Sequence, residues 1–319
     1  MTAESLLLAP GTLEPAIDAC EQAALASGAL EPIRTEATLL DDAGVRSIVR
    51  IATGLARKAA AGAAPPAPAE SRNPFLPYDA AMFVASVTAT HVALLNKYPV
   101  QRRHLLLVTR TFVPQEALLD ADDWLALAAC LGEIDGLGFY NGGAVAGASQ
   151  PHKHLQLVPL PLAEGVDGVP IELLLAGVPS GVTARVPALP CAAFCVRLEP
   201  ATLADPIAGA TLLDRRYRDL IAAAGIGVRE VAGRLHQATP YNLLVTRRWM
   251  LLVPRSRECF GSISLNALAF AGALFVRDEA EATLVRRAGL LAMLREVGVP
   301  AASPAAGRAQ DPASPGVDR

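Results

Sequence analysis

Along the first half of the chain, apolar positions fall into short strand-length runs separated by turn-forming residues. Residues 33–51 hold two β-prone runs on either side of Asp41-Asp42-Ala43-Gly44, which predicts a hairpin. Residues 82–95 and 104–108 predict two further strands, separated by Asn96-Lys97-Tyr98-Pro99. Residues 122–131 (DDWLALAACL) open on two acidic side chains suited to a helix N-terminus and predict a helix. Phe139-Tyr140-Asn141, a glycine-rich turn and a strand over 152–158 follow. There is also an internal echo. Residues 93–110 (ALLNKYPVQRRHLLLVTR) and 241–255 (YNLLVTRRWMLLVPR) share an apolar strand, a basic turn and a second apolar strand ending in Arg. It suggests two related halves, the second without a histidine pair.

Composition narrows the class. With 319 residues, 52% of them hydrophobic, the chain holds two average domains or one large one, and a mostly disordered chain is excluded. A formal net charge of −3 argues against a nucleic-acid binder that works through bulk positive charge. The longest apolar stretch, residues 265–276 (LNALAFAGALFV), is far short of the roughly 20 residues that span a bilayer. The first basic residue is Arg34, so the positive start of a signal peptide is missing. Cys20, Cys130, Cys191, Cys195 and Cys259 form an odd, scattered set without a CxxC pair, which disfavours a disulfide framework. A cytoplasmic protein with no membrane or nucleic-acid partner is expected. Residues 59–73 (AAAGAAPPAPAESRN) read as an exposed loop and residues 301–319 as a disordered tail.

The chemistry concentrates in residues 141–156, NGGAVAGASQPHKHLQ. Alternate side chains of a strand share a face, so His152, His154 and Gln156 are expected on one side and Lys153, Leu155 and Leu157 on the other. The preceding turn, built on Gly142, Gly143 and Gly147, lets backbone N–H groups approach phosphate oxygens, and Ser149 and Gln150 add donors. A neutral imidazole is nucleophilic near pH 7 and can attack an α-phosphorus and later leave, provided that its tautomer is fixed and donors stabilise the phosphoryl oxygens. An HxH pair is also a metal half-site, but that needs a third ligand, usually a carboxylate, His or Cys where this strand has Gln. Two merely structural histidines are the remaining alternative. His91 and His104, in apolar strands, read as structural; Cys191 and Cys195 read as core residues.

The segment GASQPHKHLQ resembles the histidine-triad superfamily, in the nucleotidyltransferase branch that carries Gln in place of the third His. Within it the chain is similar to the diadenosine tetraphosphate phosphorylases (ATP adenylyltransferases). The similarity extends to residues 73–84 (NPFLPYDAAMFV), 94–110 (LLNKYPVQRRHLLLVTR) and 264–277 (SLNALAFAGALFVR). The resemblance implies an α+β, HIT-like fold: antiparallel sheet with helices packed on it, as two HIT-like halves in one chain. Residues 1–165 would form the N-terminal half with the catalytic motif, and residues 166–300 a degenerate C-terminal half that completes the nucleotide site. A chain that completes its own sheet is expected to be a monomer.

The resemblance also implies roles. His154 corresponds to the nucleophile that takes AMP as a covalent adenylyl-histidine, His152 to the residue orienting it, and Gln156 to the amide that contacts the α-phosphate. Asn141, Gly147, Ala148, Ser149 and Gln150 correspond to the phosphate-binding turn. Leu95 and Asn96 stand where the ribose is held, although Asn96 also reads as a turn residue. Lys58 corresponds to a basic residue reaching the polyphosphate, although it also reads as a solvated charge. Asn266, Ala267, Leu268 and Arg277 correspond to the distal nucleotide site. The implied reaction is reversible phosphorolysis of diadenosine tetraphosphate: phosphate in, ADP and ATP out, with Mg²⁺ brought by the polyphosphate. Water or sulfate as acceptor, and a non-catalytic dinucleotide-binding regulator, are the alternatives.

Overall fold

The computed structural model describes residues 5–52 and 73–301. Lys58, the expected loop except for Asn73, and the tail beyond Ala301 lie outside the described residues. Helix α1 (Leu13–Ser27) precedes a hairpin of β1 (Thr35–Asp42) and β2 (Val45–Ala52). Its two-residue loop, Ala43-Gly44, has φ of 48° and 84°, the left-handed geometry that lets a tight turn follow the strand twist. Strands β3 (Phe83–Ser86), β4 (His91–Leu95) and β5 (Leu105–Thr109) come next. The expected single strand over 82–95 is therefore two. Thr88 turns the chain between them, its hydroxyl accepting from the backbone N–H of Thr90 and His91. No Gly or Pro marks that turn.

Helix α2 (Ala121–Glu133) matches the expected helix with a slightly longer span. Asp120 caps it in a reciprocal capping box with Asp123. Strands β6 (Gly136–Gly142), β7 (His154–Pro159), β8 (Ala184–Arg185) and β9 (Phe194–Arg197) are followed by α3 (Pro206–Ala223). Strand β7 begins two residues later than expected, and His152 sits in an isolated bridge to Pro114. Hairpins β10 (Val228–Val231) with β11 (Arg234–Gln237), and β12 (Tyr241–Val245) with β13 (Trp249–Pro254), come next. The chain continues through β14 (Cys259–Phe260), β15 (Ile263–Ser264), α4 (Ala267–Ala271), β16 (Ala273–Val276), α5 (Glu279–Ala288) and α6 (Leu290–Val297). No helix among the described residues is long and apolar enough to cross a membrane.

Nine strands form one antiparallel sheet in the order β3-β4-β5-β7-β6-β12-β13-β9-β8. The β6–β12 pairing, Tyr140 opposite Leu243, carries it unbroken from the first half of the chain into the second. The two hairpins behind the sequence echo, β4–β5 and β12–β13, both lie in it. Strand alternation divides the core in two. Leu243, Met250 and Leu252 join the cluster that holds Leu13, Trp124 and Tyr217 from α1, α2 and α3. Their neighbours Leu244, Leu251 and Val253 face the cluster of Ile48, Phe270, Leu290 and Met293. The small sheet β1-β2-β16, in which β16 runs parallel to β2, belongs to that second layer.

Lys153 fixes which way β7 faces. Its ammonium is buried in an ion pair with Asp123 of α2 and donates to Leu118 O at 2.9 Å. Burial pushes the Asp123 carboxyl up, but Lys153 and His91 outweigh it and hold the group well below the usual carboxylate range. Because successive side chains alternate, a lysine anchored on the helix side turns both flanking histidines to the other side. Lys153→Met is expected to lower stability by about 3–5 kcal/mol, since it leaves a buried carboxylate without its cation. Urea unfolding measures this; a loss below about 1 kcal/mol would show that the pair holds nothing in place.

Candidate active site

Three imidazoles meet at β7, and hydrogen bonds fix the proton on each. His154 Nδ1 lies 2.8 Å from the backbone carbonyl of His152. A carbonyl only accepts, so Nδ1 carries the proton and Nε2 keeps its lone pair. Nε2 has no hydrogen-bond partner among the described residues. Burial pushes the His154 pKa down to about 4, against the opposing effect of the His152 carbonyl, so the ring is neutral near pH 7. His154 is 4% exposed, with the Phe75 ring packed 5.3 Å from its own.

His152 takes the opposite tautomer. Its Nε2 donates to Thr109 O at 2.9 Å, and its Nδ1 accepts from Asn73 Nδ2, also at 2.9 Å. Asn73 is held in that orientation because its Oδ1 accepts from the Phe75 N–H. Where the resemblance has His152 orienting His154, the contact between them comes from the backbone carbonyl of His152, and its ring is occupied elsewhere.

Gln156 is oriented by a second chain of the same kind. The Tyr98 N–H donates to Asn96 Oδ1 at 3.2 Å, and Asn96 Nδ2 donates to His104 Nδ1 at 3.2 Å. His104 Nε2 then donates to Gln156 Oε1 at 3.0 Å. The Gln156 oxygen is thereby occupied, and its NH₂ is the end left to meet a phosphoryl oxygen. His104 is thus part of the site and not merely structural. Burial brings its pKa down to about 4 despite the Gln156 hydrogen bond. Asn96 serves both as turn residue and as the middle of this chain, beside the buried Leu95.

The glycine turn is held from two sides. The side chain of Gln115 stands where a direct β6–β7 pairing would continue: it accepts from His154 N–H at 3.0 Å and donates to Asn141 O at 2.9 Å. No sequence signal marked this buried residue, which lies in an irregular segment after Pro114. On the other side, Asn141 Oδ1 accepts from Asn242 Nδ2 and from the Ala267 N–H, both at 2.9 Å. Within the turn, the Gly147 N–H donates to Ala144 O and the Ala148 N–H to Gly143 O. Those two amides face inward, contrary to the expectation that they reach a phosphate. Exposed Ser149 and half-buried Gln150 are the turn residues in reach of a ligand. Gly147, at φ 88°, is also required for space: a Cβ there would come within 2.8 Å of Asn266 Cβ.

The C-terminal residues divide. Asn266 caps α4, and buried Ala267 and Leu268 lie against the turn through the Asn141 contact. Arg277, the residue after β16, pairs with Glu281, and none of its hydrogen bonds among the described residues reaches the imidazoles. A cavity of about 620 Å³ opens on the opposite face, walled by Lys153, Asp120 and Tyr217 with Leu235 of β11, and none of the three imidazoles lines it. Among the described residues no three His, Cys, Asp or Glu stand together as a metal site.

Residues 3–177, more than half the chain, match the model of the Ap4A phosphorylase N-terminal domain. The chain belongs to the Ap4A phosphorylase family. Residues 187–300 match the ATP adenylyltransferase C-terminal domain. Two proteins of Saccharomyces cerevisiae are similar. Diadenosine 5',5'''-P1,P4-tetraphosphate phosphorylase 2 is 28% identical over 208 residues, and Protein APA1 is 26% identical over 204. Each match covers 58% of this chain and spans 62% and 61% of the relatives' own lengths. The fold is shared with the crystal structure of yeast Ap4A phosphorylase Apa2, with a TM-score of 0.76 and 23% identity over 92% of this chain and 96% of that one. It is shared also with Apa2 in complex with Ap4A, with a TM-score of 0.71 and 22% identity over 92% and 99%.

Gln156→Glu keeps the oxygen that His104 needs but replaces the outward NH₂ with an acceptor. Loss of one donor to an anion is worth about 1.5–3 kcal/mol, so nucleotide affinity should fall about 10- to 100-fold. Isothermal calorimetry with AMP reads this, and unchanged affinity would remove Gln156 from phosphate binding.

Proposed function

We propose that this chain catalyses reversible phosphorolysis of diadenosine tetraphosphate through an adenylyl group carried on His154. One observation supports it above all: a neutral imidazole whose proton is fixed at Nδ1, with Nε2 facing the same side of β7 as the Gln156 amide. In the first step the Nε2 lone pair bonds to the α-phosphorus, the bond to the bridging oxygen breaks, and ATP leaves with that electron pair. In the second, an oxygen of inorganic phosphate attacks the same phosphorus, the P–N bond breaks, and ADP is released. His154 carries positive charge while adenylated, and the His152 carbonyl against its Nδ1–H stabilises that charge. A triphosphate is a good leaving group, so no strong general acid is demanded. Mg²⁺ enters this reading with the polyphosphate, offsetting its charge.

In the same reading Asn96 and Leu95 lie towards the ribose, Ser149, Gln150 and Lys58 reach the polyphosphate, and Asn266, Ala267, Leu268 and Arg277 line the distal nucleotide site. The chain is taken as a cytoplasmic monomer: both halves contribute strands to one nine-stranded sheet within a single chain, and its five cysteines are free.

Incubation with diadenosine tetraphosphate and Mg²⁺, with and without phosphate, tests the proposal. ADP plus ATP only with phosphate is expected. AMP plus ATP without phosphate indicates a hydrolase, and tight binding without turnover a sensor; either contradicts it. A second outcome concerns pH. His104 and His154 titrate near 4 in the folded chain but near 6.5 when unfolded, so below pH 6.5 the unfolded state binds more protons. Stability should therefore decline as pH falls from 6.5 to 4, by up to about 1.4 kcal/mol per pH unit for each histidine. Activity dependent on neutral His154 should persist to about pH 5 wherever the fold does. An activity midpoint near 6.5 would mean that the ring is solvated.

A further inference from the structure

Arg255, just past β13, is 2% exposed and lies behind the glycine turn. All five of its N–H groups have acceptors. Nε donates to Val297 O at 3.2 Å, Nη1 to Asn242 Oδ1 and, at 3.5 Å, to Ala146 O, and Nη2 to Arg257 O at 2.7 Å and Glu258 O at 3.1 Å. The guanidinium also stands 5.2 Å from the centre of the Phe270 ring. Every acceptor is neutral. Among the described residues no carboxylate pairs with it. Glu258, the carboxylate whose attraction Arg255 feels, is exposed, bonds Arg255 only through its backbone carbonyl, and takes its own side-chain hydrogen bond from Ser264. Helix α6 ends at Val297, and its carbonyl dipoles offset part of the charge but not a full unit.

A buried cation that is fully hydrogen-bonded and yet lacks a counter-ion is costly unless an anion arrives. The bonds show where it acts. Asn242, oriented by Arg255, donates to both Asn141 Oδ1 and, at 2.8 Å, Ala146 O. With its oxygen occupied, Asn141 presents its NH₂ as the remaining polar end. The arrangement mirrors the chain that orients Gln156, except that it starts from a full positive charge. We propose that Arg255 is the buried counter-charge for the polyphosphate: it positions the turn and the Asn141 amide through Asn242, and its field favours nucleotides with longer phosphate chains. The inference rests on the nucleotide reading above.

Dissociation constants for AMP, ADP and ATP, measured by calorimetry on the full chain, test it. The variants are Arg255→Lys and Arg255→Gln. Both lose most of the five-bond fan, but only the lysine keeps the charge, so a purely structural role would move the two alike. The ratio of AMP to ATP dissociation constants is expected to stay within about threefold of wild type in R255K and to shrink about tenfold or more in R255Q, as for a unit charge acting through a partly buried path. Equal weakening of all three nucleotides in both variants would make Arg255 scaffold and overturn the proposal, as would failure of both variants to fold. A wild type that binds none of the three nucleotides would instead overturn the functional reading on which the inference stands.

Discussion

The site depends on the hydrogen bond between His154 Nδ1 and the carbonyl two residues earlier in its own chain. Because that acceptor is backbone, its position is set by the course of the chain entering β7 and not by a rotatable side chain. The bond leaves one nitrogen able to attack, and it is a good acceptor when the ring becomes cationic. No carboxylate is needed to hold the proton, and none among the described residues bonds to the ring. The imidazole itself stays neutral and brings no negative charge of a partner carboxylate, which suits a substrate that already carries several.

Around it the chain repeats one device. A backbone N–H fixes the oxygen of a carboxamide, and the amide's NH₂ then fixes a neighbour. Phe75 fixes Asn73, which fixes His152; Tyr98 fixes Asn96, which fixes His104 and through it Gln156. These relays have direction, because carbonyl oxygens only accept and amide nitrogens only donate. They place His152 and His104 in the Nε2–H form and His154 in the Nδ1–H form. Deep burial makes each member costly to misplace, so the arrangement is held firmly. On the opposite face of β7 the Lys153–Asp123 pair provides the matching restraint, so that both faces of the strand are committed.

Much of this was legible in the sequence. Strand alternation alone put His152, His154 and Gln156 on one side and Lys153 on the other, and the Ala43-Gly44 hairpin and the Asp-rich start of α2 carried local signals. What escaped had no local signal. The turn at Thr88 is made by a hydroxyl, which leaves a weaker mark than Gly or Pro. Gln115 and Asn242 are single amides in unremarkable surroundings, and each gains meaning only from strands distant in the chain. His104 sat in an apolar run, and its role follows from register: Leu106 opposite Gln156 brings it to that amide, and register is not written in one strand. The turn was recognised as a turn, but which of its amides face inward depends on its 3-10 geometry.

In the proposed reaction the α-phosphorus becomes bonded to one protein atom, Nε2 of His154. Protein labelled with ¹⁵N in its histidine rings, adenylated with diadenosine tetraphosphate in the absence of phosphate and quenched in base, allows ³¹P–¹⁵N coupling to be read directly, with peptide mass spectrometry locating the residue. The account predicts one P–N bond, at Nε2 of His154. A bond at Nδ1, adenylate on another residue, or turnover with no adenylated protein would contradict it.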